Sequence, residues 1–357
     1  MIHVDFTPFI QDNLSTRPMN LTYLSGITGL AMLLMLNAQA ATYELPPDGD
    51  SVIGHVFHVM PQYDDTFVDL AWENNVGYRE LQLANSGVDP WIPGEDARVA
   101  IPSRYILPDA PHEGIVINVP EMRLYYYPRA LKGVSAKVIT YPISIGRQDW
   151  RTPLGLTRMI RKDKDPAWYP PESIRAEHEA SGDPLEKIVP AGPDNPLGAY
   201  ALRLGIPGYL MHGTNKPAGI GMQVTHGCIR LFPEDIESLY EGVPLGTPVR
   251  IVNQPYKTGW LNGELYLEVH PTLDPGEQGV RDLTPFVRHL IDETAELEEY
   301  KLDWSLARNL ASYPNGIPVP VSLSVIADEP SGDGEETVKT ATREGEPVDD
   351  EISPEIF

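Results

Sequence analysis

The residues of this chain that are best suited to carry out a chemical reaction lie between positions 212 and 230. His212 precedes a loop rich in glycine and proline, and the run THGCIR then extends from Thr225 to Arg230. A cysteine thiol becomes a good nucleophile when it ionises, and a neighbouring imidazole or helix N-terminus lowers its pKa. We therefore predict acyl-transfer chemistry at Cys228, with a thiol that is ionised at neutral pH.

The residues beside Cys228 have predictable supporting roles. Gly227 permits a tight turn, so the N–H groups from His226 to Cys228 can converge on a developing oxyanion. We expect Arg230 to bind a substrate carboxylate because its planar guanidinium suits bidentate contact, with an ordinary surface arginine as the alternative. We expect Thr225, like Arg230, to contact the substrate.

Strand-forming runs surround these residues and predict a mainly β domain over 113–255. Two β-rich runs are joined by Pro120-Glu121, which indicates a hairpin. A polar, proline-rich insertion occupies 161–196, and insertions of this length often act as lids. The predicted strands are 114–119, 122–127, 137–144, 200–204, 209–212 and 248–252.

The region from 41 to 107 is expected to form a small α+β unit. Asp65 or Thr66 is predicted to cap a first helix, and a second helix is expected from Arg79 to Ala84. A closing strand follows at 98–102.

The two ends of the chain differ from its middle. Residues 1–40 have the apolar core and small-residue cleavage site of a secretory signal peptide, with cleavage predicted after Ala40, and an uncleaved inner-membrane anchor is the alternative. Residues 256–320 are expected to add a strand at 264–269 and one amphipathic helix over 284–311. Residues 321–357 are predicted to be an acidic, disordered tail.

Composition limits the class of function. The chain has 27 Lys and Arg against 51 Asp and Glu, a net charge of −24, so it would repel polyanions and we expect no nucleic-acid partner. The 30 glycines and 36 prolines among 357 residues favour many turns and short strands. Cys228 is the single cysteine, which excludes an intrachain disulfide.

The motif HGTNKPAGIGMQVTHGCIR resembles the signature of the YkuD-like L,D-transpeptidase family, in which a histidine and a variable loop precede Ser/Thr-His-Gly-Cys and then Asn or Arg. Three further blocks, HEGIVINVPEMRLYYYP, PISIGRQDWRTPLGLTRM and VPAGPDNPLGAYALRL, are similar to the periplasmic branch of this family and occur in the same order, and the resemblance extends from Tyr43 to at least His270. The segment from Asp64 to Pro102 resembles a LysM module, which accompanies the catalytic domain in that branch. A small packing domain without a ligand is the alternative for this segment.

The resemblance implies a β-sandwich-like catalytic domain and a definite reaction. Cys228 would attack the L-centre carbonyl of diaminopimelate in a tetrapeptide stem, release D-Ala and form a thioester that an amine resolves. His212 would be the general base, favoured over His226, with the Gly213 carbonyl or the Thr214 hydroxyl fixing its tautomer. The implied partners are peptidoglycan stem peptides and glycan, and the implied location is the periplasm.

The acceptor stays open on the sequence. Either a second stem peptide would accept the acyl group in a 3-3 cross-link, or a lysine of an outer-membrane lipoprotein would accept it. An L,D-carboxypeptidase, a lipoprotein-releasing hydrolase and a non-catalytic wall-binding protein are alternative functions. A zinc site from His212, His226 and Cys228 lacks a well-spaced fourth ligand, so we expect no metal and no cofactor.

Overall fold

The computed structural model describes residues 40–47, 49–273, 284–294 and 301–323, which all fall in one unit, Ala38–Phe357. The predicted signal peptide, apart from Ala40, and the predicted tail beyond residue 323 lie outside the described residues. Across the described ranges, no helix has both the length and the apolar character needed to span a membrane.

The described residues form short strands and a few short helices. The strands are β1 Ala41–Glu44, β2 Val52–Gly54, β3 Phe57–Val59, β4 Val99–Ile101, β5 Arg104–Ile106, β6 Gly114–Asn118, β7 Arg123–Tyr127, β8 Lys137–Pro142, β9 Ile145–Gly146, β10 Gly155–Lys164, β11 Tyr200–Leu204, β12 Leu210–His212, β13 Gln223–Thr225, β14 Ile229–Arg230, β15 Pro248–Val252, β16 Tyr256–Leu261, β17 Glu264–Val269, β18 Lys301–Leu302, β19 Val319–Pro320 and β20 Ser322–Leu323. The helices are α1 Phe67–Glu73, α2 Tyr78–Ala84, α3 Glu172–Ala180, α4 Pro233–Gly242, α5 Thr284–Thr294 and α6 Trp304–Ser312.

A nine-stranded sheet forms the centre of the molecule, in the order β1-β8-β7-β6-β15-β10-β11-β12-β14. The predicted hairpin is confirmed, since β6 and β7 pair antiparallel. Helix α4 packs on the sheet through Ile236 and Leu239, which share a core with Met211 of β12 and Ile229 of β14. The mainly β fold is confirmed, and its core holds the strands that lead to His212 and Cys228.

The N-terminal region has the two predicted helices between two paired strands. Thr66 caps α1 and forms a capping box with Asp69, as the acidic run before the helix predicted. Strand β3 precedes the helices in sequence, β4 follows them, and the two strands pair antiparallel. Strand β1, by contrast, pairs with β8 of the large sheet. Residues 41–44 therefore belong to that sheet, and the α+β unit begins after them.

Buried polar contacts join this α+β unit to the large sheet and to α4. The guanidinium of Arg123 on β7 donates to both carboxylate oxygens of Glu80 on α2, at 2.9 and 2.7 Å. Asn75 Nδ2 lies 2.9 Å from both oxygens of Asp235 on α4. Because these groups are buried, the two parts are held in one arrangement.

The insertion begins later than the sequence indicated. The charged run that starts at Arg161 continues β10 to Lys164 and pairs with β11, so the connection itself covers 165–199 and contains α3. Four consecutive charged residues, 161–164, made this part of β10 resemble a loop. The sequence analysis therefore assigned residues 161–164 to the insertion, whereas they are the end of strand β10.

The C-terminal extension also differs from the prediction. Strand β17 is confirmed, but β16 pairs with it in a hairpin that the sequence analysis did not identify. The single helix expected over 284–311 is wrong, because α5 and α6 are separate and β18 precedes α6. Asp303 caps α6 by accepting from the N–H of Leu306, which starts a new helix at that point.

Candidate active site

The pairing of β12 with β14 positions the predicted catalytic residues. The two strands run parallel, with His212 opposite Arg230, and Cys228 directly precedes β14. Residues opposite one another on neighbouring strands point to the same face of a sheet. His212, Cys228 and Arg230 all line one cavity of about 610 Å³. The structure thus brings His212 together with Cys228 and Arg230, which follow it by 16 and 18 positions in the sequence.

His212 is buried and oriented as a neutral base. Its Nδ1 lies 2.7 Å from the carbonyl oxygen of Gly213, so Nδ1 is the protonated nitrogen and Nε2 keeps its lone pair. Burial, together with the positive charge of Arg230, lowers the pKa of His212 to about 3. Of the two predicted orienting groups, the Gly213 carbonyl contacts Nδ1, whereas the Thr214 hydroxyl accepts from the N–H of Lys216 at 2.9 Å.

The surroundings of Cys228 favour the protonated form of its thiol. Burial raises its pKa above the usual value, and the nearby charges of Arg230 and Arg203 lower it by less than burial raises it. This direction disfavours the ionised thiol that the sequence predicts, because desolvation penalises the thiolate. A neutral imidazole and a neutral thiol can still react when the proton moves at the moment of attack.

The loop before Cys228 turns at Gly227 through a backbone conformation that favours glycine. Gly227 has φ of +99°, and a Cβ at this position would lie 2.8 Å from Cε1 of Tyr209. Thr225 Oγ1 donates to the carbonyl oxygen of Cys228 at 2.6 Å and accepts from the N–H of Gly227 at 3.2 Å. Thr225 therefore holds the loop in place through its hydroxyl, and it also lines the cavity where a substrate contact was predicted.

The bracing of the loop changes which backbone donors suit an oxyanion. The N–H of Gly227 already donates to Thr225. The N–H groups of His226 and Cys228 are the other two donors in the predicted set. They remain the candidates for the oxyanion hole.

The side chain of His226 is directed to the insertion. Its Nε2 lies 3.0 Å from Oε2 of Glu177 on α3, and its ring packs edge-on against Trp150 with centroids 5.3 Å apart. Glu177 also accepts from Arg147 at 2.5 Å. Since Nε2 of His226 is held by a carboxylate, this geometry favours His212 as the base.

Arg230 points a cation at the same cavity. Its Nε is buried and, among the described residues, has no hydrogen-bond partner. Burial lowers its pKa, and the proximity of Cys228 raises it by less. A guanidinium with an unsatisfied buried donor is suited to a bound carboxylate.

The insertion forms one wall of the cavity, as its length had indicated. Trp168, Tyr169 and Ile174 line it on that side, and Trp150 lines it near His226. Trp150, Glu177 and Arg203 were missed by the sequence analysis because no short motif marks them. Their roles depend on strands and loops that are distant in sequence.

A group of possible metal ligands among the described residues lies elsewhere. Glu121, Glu268 and His270 are buried together, but Nζ of Lys257 lies 2.8 Å from a carboxylate oxygen of each glutamate. The ammonium group supplies the positive charge that this cluster requires. The cluster joins the C-terminal hairpin to the large sheet.

Comparison with known proteins agrees with the site. The model of the L,D-transpeptidase catalytic domain, YkuD, matches residues 112–251. The probable L,D-transpeptidase YcfS of Escherichia coli is 40% identical over 297 residues, which cover 82% of this chain and 91% of that protein. The probable L,D-transpeptidase YbiS of the same organism is 45% identical over 244 residues, covering 67% of this chain and 78% of that protein. At this identity and coverage, the chain belongs to the L,D-transpeptidase family of enzymes.

Proposed function

We propose that this L,D-transpeptidase uses Cys228 to take an acyl group from a peptidoglycan stem peptide and passes it to an amine in the periplasm. The observation that carries the proposal is the shared cavity, in which the imidazole of His212 and the single thiol of the chain lie with the guanidinium of Arg230, whose Nε has no hydrogen-bond partner among the described residues. Membership of the family supports peptidoglycan as the substrate class. Cys228, His212 and Arg230 supply the three roles that acyl transfer requires.

The acylation step requires no chemical group beyond these residues and the substrate. Nε2 of His212 takes the thiol proton as Cys228 Sγ attacks the L-centre carbonyl carbon of diaminopimelate, so an S–C bond forms. The C–N bond to D-Ala then breaks, and the imidazolium returns the proton to the leaving amine. A thioester remains on Cys228.

The charges of the site match those of the reacting groups. The backbone N–H groups of His226 and Cys228 stabilise the negative oxygen of the tetrahedral intermediate. Arg230 binds the carboxylate of the leaving D-Ala, which brings the scissile bond to the thiol. An acceptor amine then attacks the thioester, loses its proton to His212 and restores the thiol.

The proposed acceptor is an amine, either from a second stem peptide or from a lipoprotein lysine. Apolar and aromatic side chains of the insertion, such as Trp168 and Ile174, line the cavity and disfavour water at the thioester. Hydrolysis to a tripeptide stem is the competing outcome. The following experiment separates the three acceptors.

The purified enzyme is incubated with tetrapeptide-containing wall fragments, with and without a peptide that ends in lysine, and the products are identified by mass spectrometry. We expect loss of D-Ala together with a 3-3 dimer or a lysine adduct. The matched variant Cys228→Ala should remain folded and form none of these products. Product formation by Cys228→Ala would contradict the proposal.

A second proposal concerns glycan binding by the α+β unit. Tyr63, Trp91 and Ile92 are 81%, 61% and 76% exposed and lie on the two loops that flank the helices. The two loops are adjacent, since the N–H of Phe67 donates to the carbonyl oxygen of Pro90 at 2.8 Å. Exposed aromatic rings at neighbouring loops are suited to stacking on sugar rings.

Sedimentation with insoluble peptidoglycan tests the proposed glycan surface. Trp91→Ala should lower the bound fraction several-fold. The control variant Tyr313→Ala removes an aromatic side chain of similar exposure from the C-terminal region and should bind as the unmodified enzyme does. Equal binding by both variants would contradict a glycan site at these loops.

A further inference from the structure

The cavity at Cys228 carries positive charge in a strongly acidic protein. The chain has a net charge of −24, yet Arg203, Lys216 and Arg230 all line this cavity. Asp183 and Asp194 also line it, on the side of the insertion. A cationic surface beside the reacting thiol indicates that the substrate brings negative charge close to the scissile bond.

Strand register places Arg203 on the same sheet face as the base. Ala201 of β11 is opposite His212 of β12, and Arg203 is opposite Leu210. Because His212 is in turn opposite Arg230, all five side chains point to one face. Arg203 is displaced from the row of His212 by two residues along the strand, which is about 7 Å.

Arg203 is oriented by an ion pair that leaves part of its guanidinium available. Its Nε lies 2.7 Å from Oδ2 of Asp163, and Asp163 Oδ1 lies 2.7 Å from Nε of Arg161. The side chain of Arg203 is 35% exposed, whereas that of Arg161 is 60% exposed and is not among those that line the cavity. With Nε committed to Asp163, the two terminal nitrogens of Arg203 are the donors that can meet a ligand.

We propose that Arg203 is a specificity residue that binds the free carboxylate at the D-centre of the donor diaminopimelate. The inference rests on the proposed function, which places the L-centre carbonyl at Cys228. Three methylene groups separate the two centres, so the distal carboxylate lies away from the scissile bond, in keeping with the displacement of Arg203 from His212. Arg230, in the row of His212, stays with the carboxylate of D-Ala.

The test compares two donor stems that differ only at the D-centre, one with a carboxylate and one with a carboxamide. The unmodified enzyme should prefer the carboxylate donor. In Arg203→Gln, kcat/KM for the carboxylate donor should fall about 10- to 100-fold, because a charge-assisted hydrogen bond is lost. The loss should appear mainly in KM, kcat/KM for the carboxamide donor should stay the same, and Arg203→Lys should restore part of the preference.

Arg161→Gln is the matched control. Arg161 is opposite Arg203 in the sheet and binds the same Asp163, so its removal changes the net charge and the ion pair without changing the cavity wall. This variant should keep the donor preference. The inference is overturned if Arg203→Gln keeps the preference, if it slows both donors equally, or if Arg161→Gln loses the preference as well.

Failure of the inference and failure of the proposed function give different results. If the unmodified enzyme releases no D-Ala from either donor, or if Cys228→Ala still releases it, the proposed function fails and the inference falls with it. If the unmodified enzyme transfers both donors equally well through Cys228, the proposed function stands and the role of Arg203 is excluded.

Discussion

Nε2 of His226 lies 3.0 Å from Oε2 of Glu177, which ties the helix of the insertion to the loop that carries the nucleophile. Glu177 is also bound to Arg147, whose backbone N–H donates to the carbonyl oxygen of Thr225 at 2.9 Å. The carboxylate therefore contacts both His226, which lies in the loop before Cys228, and Arg147, which is hydrogen-bonded to that loop. Through Glu177, the wall of the cavity and the position of the thiol depend on one another.

Glu177→Gln should loosen the insertion and change the access to Cys228. The charge that holds Arg147 and His226 is lost, so a small alkylating reagent should reach the thiol about two- to fivefold faster, and transpeptidation should slow. Because Cys228 is the single cysteine, the rate of alkylation measured by intact mass reports on it alone. Glu179→Gln removes an exposed carboxylate from the same helix and should have no effect on either rate.

Gly227→Ala should damage the site by straining its loop. A residue with a Cβ disfavours φ of +99°, and the added carbon would meet the ring of Tyr209 at 2.8 Å. We expect a loss of about 1–3 kcal/mol in the free energy of unfolding, measured with urea, and a loss of activity. Gly87→Ala is the control, since an added Cβ there meets no atom within 4 Å. A stable and fully active Gly227→Ala enzyme would contradict the assigned geometry.

The pH dependence of alkylation should report a thiol that is harder to ionise than a free cysteine. Burial raises the pKa of Cys228, so the thiolate fraction at neutral pH is below that of an ordinary thiol and grows as pH rises past the usual thiol range. His212, with a pKa of about 3, is neutral throughout this range. The alkylation rate should therefore climb from pH 6 to 10, later than that of a cysteine peptide. A plateau below pH 7 would instead indicate a thiolate–imidazolium pair.

Asp235→Asn should stabilise the protein at neutral and alkaline pH. Burial raises the pKa of Asp235 to about 8, above its value in the unfolded chain, so its contribution to stability is complete below about pH 4 and is lost as pH rises to 8. Asn75 Oδ1 is buried without a hydrogen-bond partner among the described residues, and the amide that D235N introduces can donate to it.

Urea denaturation at pH 4, 6 and 8 measures this effect. D235N should match the unmodified protein at pH 4 and exceed it by about 1 kcal/mol or more at pH 8, because each pKa unit corresponds to about 1.4 kcal/mol. Asp96→Asn, at an exposed position, is the control for a lost surface charge. Destabilisation by D235N at every pH would show that Asp235 is ionised in the folded protein.

Most local elements of the fold were predictable from the sequence. The capped helix after Thr66 and the hairpin at Pro120-Glu121 depend on short-range patterns of capping, turn and alternating residues, and both are confirmed. The missed β10 continuation and the misassigned helix at 284–311 depend on partners that are distant in the chain. Pairing with β11 makes a charged run a strand, and the Asp303 cap starts a separate helix.

The amino-acid sequence alone determined which groups are available for chemistry, because the one thiol, its neighbouring glycine and histidine, and the arginine two positions later are matters of residue type and short spacing. The tertiary structure decided how those groups behave. Burial lowers the pKa of His212 and raises the pKa of Cys228, and the hydrogen bonds of Thr225 hold the loop before Cys228 in place. Strand register and the docking of α3 bring Arg203 to the cavity and Glu177 to the nucleophile loop. Desolvation and contacts between distant segments exist only after the chain has folded, so no local pattern could have specified them.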